Sequence, residues 1–318
     1  MLRISRQIAG LLMAACCVAG TAQAQGTIKL VIPLSAGGPN DTVGRLAAEH
    51  ISRNQGASMI VENRPGAGSV IGTEVVARSA PDGNTLLMAA GSFLVNPHLK
   101  KLSYHPLTSF EPVCYLARSP HVIVTPASSP FKTFQDLIAA AKQRPGELMF
   151  AANGPGTSQH IELEIIKSVT GANITFVPFT GDAPTLNALL GDQIHVGMAD
   201  LLTVYEYVKI GKLRMLAVGT PERLNKFPDV PSVTELGFPG AEWVGTLGIV
   251  APAKTPKDRV DQLISWFKAA INAPDVLARF DQLGLYPMGI CGADYAAYLN
   301  RKYEENGKVI RASGIKAD

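Results

Sequence analysis

Four turns carry residues that could hold a small anion: Ser35-Ala36-Gly37-Gly38-Pro39-Asn40-Asp41, Ala90 to Asn96, Asn153 to His160, and Phe179 to Pro184. Each stands where an apolar run gives way to small residues and then to a helical pattern. A helix N-terminus presents unpaired N–H groups and the positive end of its dipole, which suits a carboxylate. None of the four contains Lys or Arg, while Asp41 and Asp182 add negative charge. An anion there must be held by backbone N–H groups, by the hydroxyls of Ser35, Ser92, Thr157, Ser158 and Thr180, and by ordered water. Glycine-rich turns also join strands to helices in any α/β protein, and one turn would support nothing more. Four of the same make-up favour a binding cleft. Asp41 also reads as the N-cap of the first helix, and Thr157 or Ser158 as that of a later one.

Catalytic signatures do not assemble. The sequence has no G-x-S-x-G, no H-E-x-x-H and no paired-carboxylate motif. Ser158 and His160 are two apart on a predicted helix and do not face each other. His160 and Glu164 share a face, but two ligands without a third are a weak metal site. The remaining histidines, at 50, 98, 105, 121 and 195, are scattered. Gly66 to Gly72 has the wrong spacing for a dinucleotide fingerprint and reads as the start of a helix. The expectation is a binding protein with no enzymatic activity, no metal and no cofactor.

The elements that must position these turns alternate along the chain. Strands are predicted at Ile28 to Leu34, Met59 to Glu62 and Thr85 to Ala90, with helices at Asp41 to Arg53 and Ser69 to Ala80 between them. That rhythm implies βαβ units and a parallel sheet. The pattern loosens at Asn96-Pro97, and short extended runs follow at Val113 to Ala117 and His121 to Thr125. The segment Pro126 to Pro130 reads as a crossover. A second α/β set has helices at Phe134 to Gln143, after the turn ending at Thr157 as far as Val169, and at Ala183 to Leu190. Its strands are Leu148 to Ala152, Ile174 to Phe179, His195 to Ala199 and Leu213 to Val218. Thr133 and Asp136 form a capping box, and Gly171 a helix stop. Trp243 to Val250 leads back to the first unit, and a helical tail starts with Thr255 as N-cap and Pro256 at the first helical position. Trp266 on an amphipathic helix reads as core. The predicted organisation is residues 25–125 with 246–318 as one lobe and 126–245 as the other.

Residues 1–24 read as a secretory signal peptide. Arg3 and Arg6 precede an apolar run too short to span a bilayer, and Ala22-Gln23-Ala24 makes a better cleavage site than the lipoprotein alternative at Cys16. Without the leader, 27 basic residues face 26 acidic ones, a net charge of +1 with no basic run, which disfavours nucleic acid as a partner. Cys114 and Cys291 remain, in no metal-binding spacing; a disulfide and two buried thiols are both open.

Seven strings in order resemble one family: PLSAGGPND (33–41), VENRPGAG (61–68), APDGNTLL (80–87), GTSQH (156–160), VPFTG (177–181), GKLR (211–214) and PDVPS (228–232). The chain resembles the periplasmic solute receptors of tripartite tricarboxylate transporters, the Bug receptors, over essentially its whole mature length. The resemblance implies an α/β, two-lobed type II periplasmic-binding fold, each lobe a mainly parallel sheet flanked by helices. It implies a monomer in the periplasm that closes over a small carboxylic acid and delivers it to a permease of one large and one small subunit. By position, Ser35 to Asp41 would hold one carboxylate, Gly156 to Ser158 would cap the other end, and Thr180, Gly181 and Asp200 would border the pocket. The chain departs from the family pattern at Ser35-Ala36, at Phe179-Thr180 where Tyr-Lys is frequent, and at Ala199-Asp200-Leu201 where Phe-Asp-Asn is typical. The pocket is thus expected to be less cationic than average, suited to a monocarboxylate with an apolar body or to an amino acid whose ammonium meets Asp200, in preference to citrate. A second reading is a periplasmic ligand-sensing subunit for a signalling partner.

Overall fold

The structure, a computed structural model, describes residues 26–239 and 241–313. The predicted signal peptide lies outside the described residues. Strand β1 (Ile28–Ile32) is almost entirely buried and reads as a continuous apolar run, as a parallel strand covered on both faces should. It is followed by α1 (Pro39–Asn54), β2 (Met59–Asn63), a 3-10 turn at Ala67–Ser69, α2 (Val70–Ala77) and β3 (Thr85–Ala89). β1 pairs in parallel with β2 on one side and β3 on the other, the expected βαβ arrangement.

The chain next forms α3 (Ser92–Leu99), a helix where the sequence predicts only a loosening at Asn96-Pro97. Pro97 lies late in this short helix, so it removes a single backbone bond, and Lys100 N–H closes the end on Asn96 O. The two extended runs that follow are one 17-residue strand, β4 (Phe110–Pro126). Its first half pairs with β9 (Val244–Pro252) and β10 (Tyr286–Cys291) and its second half with β7 (Val196–Asp200) and β8 (Leu213–Val218), all antiparallel, so the chain changes partners near Ser119-Pro120 without leaving the strand.

The second set comprises α4 (Phe134–Gln143), β5 (Met149–Asn153), α5 (Ser158–Thr170), β6 (Thr175–Phe179), α6 (Asp182–Leu190), β7 (Val196–Asp200), α7 (Leu201–Lys209) and β8 (Leu213–Val218). The tail adds β9 (Val244–Pro252), α8 (Lys257–Ile271), α9 (Pro274–Leu283), β10 (Tyr286–Cys291) and α10 (Ala293–Ser313). Strand order is β2-β1-β3-β9-β4-β7-β5-β6, with β8 and β10 also on β4. Separate apolar clusters fill the two halves, one around Ile28, Leu86, Trp266 and Phe267, another around Phe134, Phe150, Leu163 and Trp243.

Helix α4 begins in the predicted capping box: Thr133 Oγ1 accepts from Asp136 N–H at 3.0 Å, and the Asp136 carboxylate accepts from Thr133 N–H at 2.9 Å. Thr133→Ala should therefore cost about 1 kcal/mol, read as a lowered urea midpoint at unchanged slope. At α8 the expectation is corrected. Pro256 occupies the N-cap position, and the Thr255 hydroxyl donates to Pro252 O in place of capping the helix. Strand β10, which the sequence reading missed, sets Cys291 directly opposite Cys114 on β4, and the two are disulfide-bonded.

Candidate functional site

The first turn links β1 to α1. Ser35, Ala36 and Gly37 are exposed, and a Cβ placed on Gly37 or Gly38 would meet nothing within 4 Å, so a ligand can reach the main chain there. Asp41 is not the N-cap of α1; Gly38 holds that position without a side-chain bond. The buried Asp41 carboxylate instead accepts from Gly37 N–H (3.0 Å), Arg45 Nε (3.0 Å) and Asn63 Nδ2 (2.9 Å). Burial works against its ionisation, but the bonds from Arg45, Gly37 and Asn63 outweigh that and hold its carboxyl below the ordinary value. Asp41 thus acts as the clamp of this turn, tying it to β2, and Gly37 N–H is already committed to it.

The second and third turns face each other. Ser92 Oγ lies 2.6 Å from Ser69 Oγ, and Asn96 Nδ2 donates to Gly68 O at 2.6 Å. Asn96 Oδ1 is buried with no partner among the described residues, and a Cβ on Gly156 would stand 2.7 Å from it. That approach, together with a φ of +80°, requires glycine at 156. A Cβ on Gly91 would lie 3.0 Å from Ser158 Oγ. Thr157 caps α5: its Oγ1 accepts from His160 N–H at 3.3 Å and can donate to Asn153 O or Gly154 O. The His160 ring stacks on Phe176, with centroids 4.4 Å apart. Glu164, its expected face partner, pairs with Lys167.

The fourth turn joins the third through Asp182, whose Oδ1 accepts from Gln159 Nε2 (2.9 Å) and Asn153 Nδ2 (3.2 Å). Thr180 is exposed, and a Cβ on Gly181 would meet only open space. Asp200 ends β7, buried beside Gly245 of β9; burial pushes its carboxyl well up, Asp182 adds to the rise, and His121 and the Ser119 hydroxyl oppose it. His121 Nε2 stands 3.9 Å from Asp200 Oδ2, and His121 Nδ1 is 2.6 Å from Glu162 Oε2. Burial would lower the His121 pKa, but the charge and hydrogen bond of Glu162, with Asp200 and Asp182 adding to them, raise it to about 9.

Three of the predicted turns and the end of β7 therefore meet, while the first turn is tied to β2 and opens its backbone to solvent. The sequence reading missed His121, Gln159 and Glu162. Gln159 lies inside the string GTSQH but carries no assigned role there, Glu162 sits in an unremarkable helical pattern, and nothing marks His121 among the scattered histidines. The arrangement offers hydroxyls, backbone N–H groups and a buried acid cluster with one imidazolium. It holds no nucleophile set against a base, and no group of His, Cys, Asp and Glu able to hold a metal is present among the described residues. No helix among them is long and apolar enough to cross a membrane.

Comparison with known proteins identifies the family. The profile of the tripartite tricarboxylate transporter family receptor, TctC, matches residues 43–315. A UPF0065 protein from the gbd 5' region of Cupriavidus necator is 33% identical over 294 residues, spanning 92% of this chain and 88% of its own. Among solved structures, R. palustris Rpa4515 with adipate is 30% identical with a TM-score of 0.85, over 91% of this chain and 98% of that one. MatC from Rhodopseudomonas palustris with bound malate is 27% identical with a TM-score of 0.81, over 89% and 98%. These neighbours share the α/β fold of type II periplasmic-binding proteins, the fold class expected from the sequence. The chain belongs to the TctC, or Bug, family of tripartite tricarboxylate transporter receptors, which are solute-binding proteins and not enzymes.

Proposed function

We propose that the protein is a periplasmic receptor that closes over one small carboxylic acid and delivers it, as a monomer, to a permease of one large and one small subunit. The observation that carries this reading is the meeting of the turns after β3, β5 and β6 with the end of β7, together with the open glycine backbone of the first turn. Similar proteins hold adipate and malate. In our reading the lobes are residues 25–125 with 246–318, and 126–245; the partner change inside β4 puts the first crossing a few residues before 126. Ser35 to Gly38 hold one carboxylate, Gly156 and Ser158 cap the other end from the second lobe, and Thr180, Gly181 and Asp200 border the pocket. Ser92, Asn153, Thr157 and His160 support these turns, and Asp41 keeps the first one in shape. Ligand contacts to both lobes shift the population toward the closed form.

The acid cluster disfavours a polycarboxylate such as citrate. A monocarboxylate with an apolar or aromatic body avoids it, and an amino acid would use it to meet an ammonium. Thermal unfolding against mono-, di- and tricarboxylates, aromatic acids and amino acids tests the proposal. A ligand at a hundredfold over its Kd should add about 2.7 kcal/mol, a rise of a few degrees. A panel without shifts in ligand-free protein would refute the carboxylate assignment. For the acid identified, Ser35→Ala should weaken binding by about 1 kcal/mol, while Thr157→Ala should act mainly on stability, because that hydroxyl is engaged with the main chain.

A further inference from the structure

A second space between the two halves lies behind the second and third turns, which border it through Gly91, Leu94, Val95 and Ser158. It is a cavity of about 410 Å³, within the range of small-molecule sites. One face each of α3, α5 and α10 encloses it, and residues 241–246 form its floor. The spacing is helical: Ile161, Glu162 and Ile165 line it from α5, and Tyr298, Lys302 and Val309 from α10. No residue of Ser35 to Asp41, none of Phe179 to Pro184, and not Asp200 reaches it; it meets the cleft at Gly91 and Ser158.

Its chemistry selects among occupants. Leu94, Val95, Ile161 and Trp243 are buried and give it an apolar wall with an aromatic surface. The charges around it are satisfied within the chain: Glu162 by His121 at 2.6 Å, Lys302 by Glu305 at 3.1 Å, and Glu242 by Arg118. Lys308 stands exposed at the rim. An ionic ligand at depth would compete with these pairs, and disturbing the buried His121–Glu162 pair would leave a buried charge alone, which is costly. A neutral ligand breaks none, and a hydroxyl on it can donate to the Glu162 carboxylate, which His121 engages through Oε2 alone.

We propose that this cavity is a second small-molecule site, adjoining the carboxylate cleft at Gly91 and Ser158, for an uncharged aromatic compound carrying a hydroxyl group, the phenol class. Because α5 belongs to one half while α3 and α10 belong to the other, an occupant braces the two against each other. The site does not depend on which acid the cleft holds.

The test is titration of the purified protein with 2-naphthol, with naphthalene-2-carboxylate in parallel. Val309→Trp and Ile165→Phe, both at half-buried wall positions, each fill the cavity, and circular dichroism and the unfolding midpoint report their folding. The expected result is saturable binding of one naphthol, weaker by about tenfold or more in whichever filled variant keeps its fold, and tighter than that of the carboxylate. Absence of saturable binding at millimolar naphthol would overturn the site. Binding unchanged in the folded variants would overturn its location, and preference for the carboxylate would overturn the neutral class.

Discussion

Replacing Glu162 by alanine is expected to destabilise the protein by about 3 to 5 kcal/mol, the cost of leaving a buried charge without its partner. The His121 and Glu162 side chains are only 3% and 7% exposed, and their 2.6 Å contact lies between β4 and α5. Removing both partners, as in His121→Leu with Glu162→Leu, should cost much less than Glu162→Ala alone, because no orphaned charge remains. The pair also sets a pH dependence. His121 has a folded pKa of about 9 against an ordinary 6.5, so its contribution is whole below about 6.5 and lost as pH rises through 9. Asp200, raised by burial, acts in the same sense: it favours the folded state where its carboxyl holds a proton, and that contribution fades as pH rises. Urea unfolding between pH 6 and 10 should show stability falling with pH, and His121→Gln should flatten the fall. A native curve that is level from 6.5 through 9 would contradict an imidazolium at 121.

The disulfide carries the second large effect. Cys114 and Cys291 are separated by 177 positions, so the bond closes most of the chain into one loop. Loop-closure arguments give about 5 kcal/mol of stabilisation for such a ring, at the upper end of an observed range of about 2 to 5. Cys114→Ser with Cys291→Ser should lower the urea midpoint accordingly, and the native protein unfolded without reductant should show no thiol among these two. Two reactive thiols, or a midpoint unchanged in the double variant, would contradict the bond. β10 would then hold to β4 through its ladder alone.

The reach of the sequence follows physical lines. The βαβ units were legible because β1, β2 and β3 are short apolar runs separated by helical periodicity and glycine. The capping box at Thr133 and the stop at Gly171 were legible because local side-chain and backbone chemistry decides them. β4 was not legible as one strand, because Arg118-Ser119-Pro120 imitates a break while tertiary pairing with β9 carries the strand through. β10 and the disulfide were not decidable, since the pairing that brings Cys291 to Cys114 is long-range. In the candidate site, the glycine turns declared themselves by composition. Asp41 looked like a cap and is a clamp, a difference that rests on Arg45 and on Asn63 from another strand. The His121-Glu162 pair rests on two elements meeting side by side, which no local pattern encodes.

The most direct test of the central claim is calorimetric titration of the protein, freed of bound solute, with adipate, malate, benzoate and glutamate, followed by Ser158→Trp against whichever binds. The account predicts one site per chain for at least one of these acids, and loss of that site when a bulky side chain stands at position 158, where the second and third turns meet. An acid that binds with the same affinity in Ser158→Trp, or no heat from any acid with solute-free protein, would contradict a carboxylate site between these turns.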